Sequence, residues 1–276
     1  LLMDKISVSL AWVDRYSPPW SSESHKFKTN SGEEIKYIFS AGVSYLPTKG
    51  LYAELSITHS KDYMNRVFGK LGYTKDTYFA TIDSNYQVYA YAKGGSLWDK
   101  DLKPNTHNNW PYVLGKKISH QHVISINAKW KNHLTSKLEF ITTNIDRPQK
   151  TNDHAVEFIP RATHGYGTSQ GRIDYWWDAV SDFNKDGEKA SCISLTYDIK
   201  QFNLNGLSIG ASYIYAFDIS GWDTQGKKDS LGKEYGYNLD LSYTLPKKVI
   251  KTLTTKIHYT SLKATGNGDL WKRYGL

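Results

Sequence analysis

The sequence predicts an all-β fold, an antiparallel transmembrane β-barrel. Three observations predict it. Apolar and polar residues alternate with period two in many windows, aromatic rings cap those windows, and the connections between them alternate between short and long. Period two places successive side chains on opposite faces of a strand. A membrane barrel requires this, because one face meets lipid and the other a polar interior.

The chain has 276 residues, 35 Lys+Arg against 27 Asp+Glu, and a formal net charge of +8. Its mean hydropathy is only −0.57, a value that would suit a disordered chain. However, aromatics make up 14%, with 21 Tyr and 9 Trp, and a chain this rich in rings and β-branched residues folds. No run approaches the roughly 18 apolar residues of a membrane helix, a test that is blind to alternating strands. The single cysteine, Cys192, excludes an intrachain disulfide and a Cys-based zinc site.

In chain order, residues 5–14 set Ile6, Val8, Leu10 and Trp12 against Lys5, Ser7, Ser9 and Ala11. Residues 50–60 set Leu51, Ala53, Leu55 and Ile57 against Tyr52, Glu54, Ser56 and Thr58. Ile124, Ile126, Ala128 and Trp130 share one face of 122–130, and Leu138 and Phe140 oppose Lys137 and Glu139 in 134–143. Four more windows follow at 191–199, 207–217, 235–245 and 253–261, led by Leu195, Ile209, Leu241 and Ile257. This amounts to roughly a dozen strands and no helix.

Short connections are expected at 46–50, 131–133, 200–206 and 245–252, and long polar ones at 14–34, 94–121, 143–189, 218–234 and 263–269. Outer-membrane barrels have this alternation, with short periplasmic turns and long extracellular loops, whereas a soluble sandwich has no reason for it. Tyr213, Tyr215, Tyr237, Tyr243 and Tyr259 cap apolar faces, and Trp98, Trp110, Trp130, Trp222 and Trp271 stand at loop junctions, as interfacial girdles would require. No linker or repeat divides the chain, so residues 1–276 are expected to form a single β-barrel domain. The chain opens on Leu1-Leu2-Met3-Asp4 and ends inside an apparent strand at Tyr274-Gly275-Leu276. It is therefore expected to be an internal piece of a longer protein, incomplete at both ends.

Residues 176–220 (WWDAVSDFNKDGEKASCISLTYDIKQFNLNGLSIGASYIYAFDIS) resemble the OprD family of bacterial outer-membrane porins: an Asp-Phe loop, a strand with a Tyr-Asp pair, an Asn-rich turn into Gly-Leu-Ser-Ile, and a long aromatic strand ending in Asp-Ile. GKEYGYNLDLSY at 232–243 and LTTKIHYTSLKA at 253–264 resemble the next two strands. ISVSLAWVDRYSPPWSS at 6–22 resembles a mid-barrel strand, and residues 50–70 a tyrosine-bearing hairpin.

The resemblance implies a porin-type barrel of roughly 18 strands, of which this chain would supply about the last two thirds. It implies a passive, substrate-preferring channel in the outer membrane of a Gram-negative bacterium, carrying small, carboxylate-bearing solutes, with no cofactor and no catalytic chemistry. Its partners would be those solutes, outer-membrane lipid and lipopolysaccharide, with the barrel a monomer or a loose homotrimer. Nucleic acid is not expected, because Lys and Arg are spread over many segments.

The family's paired basic residues on its penultimate strand fall at Lys256 and His258, and the one opening its last strand at Arg273. His258 stands where an Arg is usual, which weakens the basic ladder at neutral pH. Rings of basic side chains draw anions by Coulomb attraction. The loop at 162–177, with Tyr166, Arg172 and three glycines, corresponds to one that folds toward the pore. Lys137 and Glu139 are expected to pair across the lumen, with Asp198 and Asp240 as further acidic partners. Residues 182–187 match the first half of a calcium loop, but position 193 is Ile where Glu would be needed, so a polar turn is expected. No HExxH or G-x-S-x-G pattern supports a hydrolase. The alternative reading is a secreted, soluble β-sheet protein that binds glycans with its Trp and Tyr.

Overall fold

The computed structural model describes residues 5–17, 22–29, 31–101, 118–146, 158, 183–199, 206–220, 231–245 and 253–265. Eleven strands form one antiparallel sheet: β1 (Ile6–Val13), β5 (Ile38–Thr48), β6 (Leu51–Ser60), β7 (Met64–Asp76), β8 (Ala80–Lys93), β9 (Ile118–Trp130), β10 (Leu134–Asn144), β11 (Lys189–Asp198), β12 (Leu207–Ser220), β13 (Leu231–Thr244) and β14 (Thr254–Thr265). Each pairs with its neighbour in chain order, except that β2 (Arg15–Tyr16), β3 (His25–Lys28) and β4 (Glu34–Ile35) form a small sheet between β1 and β5. A meander of this kind is what alternating turns and loops build.

The register keeps one parity on each face along the whole sheet. Leu138 pairs with Ile126 and Ile193, and Glu139 with Ser125 and Cys192. Leu241 pairs with Ile209 and Ile257, and Asp240 with Gly210 and His258. Burial follows parity in an inverted sense: Leu10 is 72% and Ile257 64% exposed, while Glu139 and Asn238 on the other face are closed off at 1% and 0%. A water-soluble protein does not expose so continuous an apolar band. The outward face also carries two rows of rings. Tyr45, Tyr73, Trp130, Tyr197 and Tyr243 stand toward the short turns, and Trp12, Phe140, Tyr215, Phe217 and Tyr235 toward the long loops.

Two short turns use glycine in the left-handed region. Gly50 (φ 87°) and Gly206 (φ 90°) each accept a hydrogen bond from a threonine amide, Thr74 or Thr244, at 2.8 Å. A Cβ at either glycine would collide with that threonine's carbonyl oxygen.

Three features depart from the sequence-based expectation. Strands β7 and β8 interrupt clean alternation with inward rings, Phe68, Tyr89 and Tyr91, so their apolar period is obscured. The β6–β7 connection is only 61–63, a tight turn at the end of the sheet where the other connections are long. A short helix, α1 (Ser96–Asp101), follows β8 where no helix was expected, and Trp98 on it is fully buried rather than interfacial. Trp98 packs on Tyr63 and Tyr91 at ring-centroid distances of 6.0 and 5.9 Å. Gly94 and Gly95 let the chain cross the 61–63 turn, because a Cβ at either would strike the backbone of Met64 or Asp62. The Gly94 and Leu97 amides donate to the Tyr63 and Asp62 carbonyls, each at 2.9 Å. Trp130 lies on the outward face as expected; Trp110, Trp222 and Trp271 lie outside the described residues.

At the long-loop end, the inner face is closed by a cluster that includes Tyr63, Tyr91, Trp98, Ile141, Phe158, Phe183 and Ile214. The 183–188 segment caps it as a polar turn. The Asn184 side chain donates to the Phe158 carbonyl at 2.8 Å, and the Asp186 carboxylate accepts from the Ile145 amide at 2.8 Å. Lys185 pairs with Glu234 at 2.6 Å, and its backbone amide donates to Glu188 at 2.8 Å. Burial pushes the Glu188 carboxyl well above the ordinary carboxylate range; nearby Lys185 opposes the rise and Glu234 adds to it.

Leu241→Arg in the lipid-facing band should cost about 2–4 kcal/mol of stability in vesicles, and Ser242→Arg on the inner face much less; urea unfolding of the two variants in lipid compares them. Because the folded-state pKa of Glu188 is raised, its contribution is complete at low pH and is lost as pH rises through the folded value. The heat-unfolding midpoint in detergent should therefore fall as pH rises from about 5, more steeply than in Glu188→Gln.

Candidate pore wall

The inner face consists of alternate residues whose polar groups would otherwise have to face lipid. Four groups line it. Near the short turns, Asp240 on β13 accepts from Lys256 at 3.0 Å and contacts His258 Nδ1 at 2.7 Å, both on β14. Direct register explains this, since Asp240 opposes His258 and Ser242 opposes Lys256. At a similar height, Asp83 on β8 accepts from Tyr52 (3.0 Å), Thr74 (2.7 Å) and Asn85 (3.0 Å), and Gln87 donates to Asn85 at 2.9 Å. Lys70 lies 5.9 Å from the centre of the Tyr52 ring.

Midway along the strands, Lys137 pairs with Glu139 at 2.9 Å, and Glu139 also accepts from Ser125 at 3.2 Å. Gln121 donates to Thr143 at 3.1 Å, and Thr260 to Asn238 at 2.5 Å. The fourth group is the aromatic cluster at the long-loop end, where Phe158 sits 4.9 Å from Tyr91.

Of the residues singled out from sequence, Lys137, Lys256 and His258 lie on the inner face. Lys256 and His258 come together on one acid. Lys137 meets Glu139 two residues along its own strand, so that pair does not cross the lumen. Asp198 faces inward opposite Ser208 on β12. Tyr166, Arg172 and Arg273 lie outside the described residues, as does Asp182.

The Asp83 group was not anticipated. Its signal was present as Asp83, Asn85 and Gln87 at alternate positions, interleaved with Ile82, Tyr86 and Val88. Lys185 and Glu234, far apart in sequence, meet only through folding. The chemical consequence concerns charge: Lys137, Lys185, Lys256 and His258 each have a carboxylate within ion-pair distance. A wall of paired charges, amides and hydroxyls presents hydrogen-bonding groups more than net charge.

The chain is similar to known proteins along most of its length. The model of the outer membrane porin, OprD family, matches residues 3–270. A chitoporin of Escherichia coli (strain K12) is 28% identical over 263 residues, covering 92% of this chain and 52% of the relative, so the chain spans about half that protein's length. Among solved structures, Pseudomonas aeruginosa OccD3 (OpdP) matches with a TM-score of 0.70 at 16% identity, over 96% of this chain and 61% of that one. OpdK of the same species, solved with vanillate, also gives 0.70, at 15% identity over 96% and 62% of the two chains. Acinetobacter baumannii OccAB4 gives 0.70 at 17% identity over 97% and 59%. A family match over nearly the whole length, on a sheet with its apolar face outside and its polar face inside, places this chain in the OprD family of outer-membrane β-barrel porins.

Proposed function

We propose that this chain forms part of the wall of a passive diffusion channel for small polar solutes, selecting more by hydrogen bonding and ring contact than by net charge. The carrying observation is Asp240, which holds both Lys256 and His258 and so offsets the cations that would otherwise attract anions. Asn85, Gln87 and Gln121 supply amides along the same face, and Tyr52 adds a ring. Hydroxyl-rich, uncharged solutes suit such a wall, and the relative named chitoporin supports an amino-sugar cargo. The chain acts here as one domain of a larger barrel.

A second reading, a preference for carboxylate-bearing solutes, has its own support. Lys137, Lys256 and His258 all face inward, and OpdK was solved with vanillate, a carboxylate. Under this reading, Arg172, Tyr166 and Arg273 add further contacts.

Conductance of the full-length protein in planar bilayers separates the two readings. Neutral amino-sugar oligomers should interrupt the current at lower concentration than small carboxylates if the first reading holds, and the reverse order supports the second. Asp240→Asn should move the reversal potential in a salt gradient toward anion preference, and Lys256→Ala toward cation preference. If neither variant shifts it, the Asp240 group does not set selectivity.

A further inference from the structure

An ionisable side chain on a lipid-facing position is costly, and one that stands there calls for a reason. On β9, His120 and His122 share the outward face of Ile124 and Ile126, opposite Ala90 and Val88 on β8 and Asn144 and Thr142 on β10. Ile124 pairs with Phe140 in the upper row of rings, and the two histidines lie one and two same-face positions beyond it toward the long loops. That row marks the lipid–water boundary, so both imidazoles stand on its watery side. Each is only partly buried.

The two rings are held as a pair. Their centroids are 4.8 Å apart, and His120 Nδ1 lies 2.9 Å from His122 Nε2. The other nitrogen of His122, Nδ1, lies 2.6 Å from the Tyr86 hydroxyl, and those two rings stack at 5.9 Å. With the His122 proton on Nε2, that N–H donates to His120 Nδ1 and the Tyr86 hydroxyl donates to His122 Nδ1. Moving the proton to Nδ1 only reverses the second bond, because a hydroxyl accepts as readily as it donates. Two bare ring nitrogens then face each other. Two metal bonds of about 2.0–2.1 Å at a right angle place their nitrogens about 2.9 Å apart, whereas a tetrahedral angle places them about 3.3 Å apart.

We propose that His120 and His122 form a two-nitrogen chelate for copper(II) on the outer wall of the barrel, with Tyr86 as the positioning residue that holds His122 in the ligating tautomer. Imidazole suits copper, nickel and zinc, and copper(II) binds most strongly of the three. It also takes the right-angled, tetragonal geometry that the spacing fits. A hydrogen bond from the remote nitrogen of a ligating imidazole to a second group is the usual support for such a site, and Tyr86 provides it. No third His, Cys, Asp or Glu joins the pair among the described residues, so water completes the coordination. The inference concerns the outer face and is independent of which solute the channel carries.

The test uses the full-length protein in detergent, without an added histidine tag, and follows one equivalent of Cu2+ by electron paramagnetic resonance. Wild type should give a tetragonal copper signal split by two nitrogens. The double variant His120→Ala, His122→Ala should lose that signal and bind the first Cu2+ more weakly than Tyr86→Phe, for which a loss of about 10- to 100-fold is expected. Tyr86→Phe keeps both ligands, so its two-nitrogen splitting should return at saturating copper. His133→Ala, at the 131–133 turn, should behave as wild type does. Heat-modified mobility on gels shows that each variant has folded. A two-nitrogen signal that persists in the folded double variant places the copper elsewhere and overturns the proposal. So does a wild type that shows no such signal at one equivalent, and a Tyr86→Phe affinity equal to that of wild type overturns the role given to Tyr86.

Discussion

A backbone amide in hydrocarbon has no water to bond, so each N–H and C=O must find its partner inside the protein. The rest of this structure answers to that constraint. Eleven strands pair in order, and the ladder shifts register in only two places among the described residues, at Tyr45/Thr48 and Ala216/Ile219. Once the ladder is fixed, the period of two leaves the side chains no freedom over which face they take. A one-residue slip would send Asp240, Glu139 and Asn85 into lipid and Leu241, Leu138 and Tyr86 into the lumen.

The inner face then has a problem of its own, because carboxylates and ammonium groups crowd a surface that water reaches only from inside. Pairing relieves it. Glu139 sits fully covered beside Lys137 and Ser125, where an isolated charge would be costly. Asp83 is held by three hydroxyl and amide donors from β6, β7 and β8. Such networks fix the shape of the wall, and they also mute the field that a row of unopposed cations would project.

Much of the fold was legible because lipid exposure writes itself into sequence. Leu195, Ile209, Leu241 and Ile257 needed only alternation to be placed. The strands β7 and β8 were harder, since an inward Phe68 or Tyr89 looks the same in sequence as an outward one; only the register tells them apart. The site was legible where chemistry was local. Lys137 and Glu139 are two residues apart, and Asp240 and His258 stand on consecutive strands. The contact between Lys185 and Glu234, and the folding of Trp98 onto Tyr63, depend on how connections pack at the loop end, where no period constrains them.

The tight 61–63 turn gives that end of the barrel an uneven rim. Tyr63 anchors the inner aromatic cluster, and the Asp62 and Tyr63 carbonyls receive the chain that leads into α1. Cell-surface display usually grafts foreign peptides into barrel connections on the assumption that these are spare length. Here an epitope inserted at 61–63 would pull out the floor on which Trp98 rests, so the shortest connection on this rim is the worst acceptor for a graft.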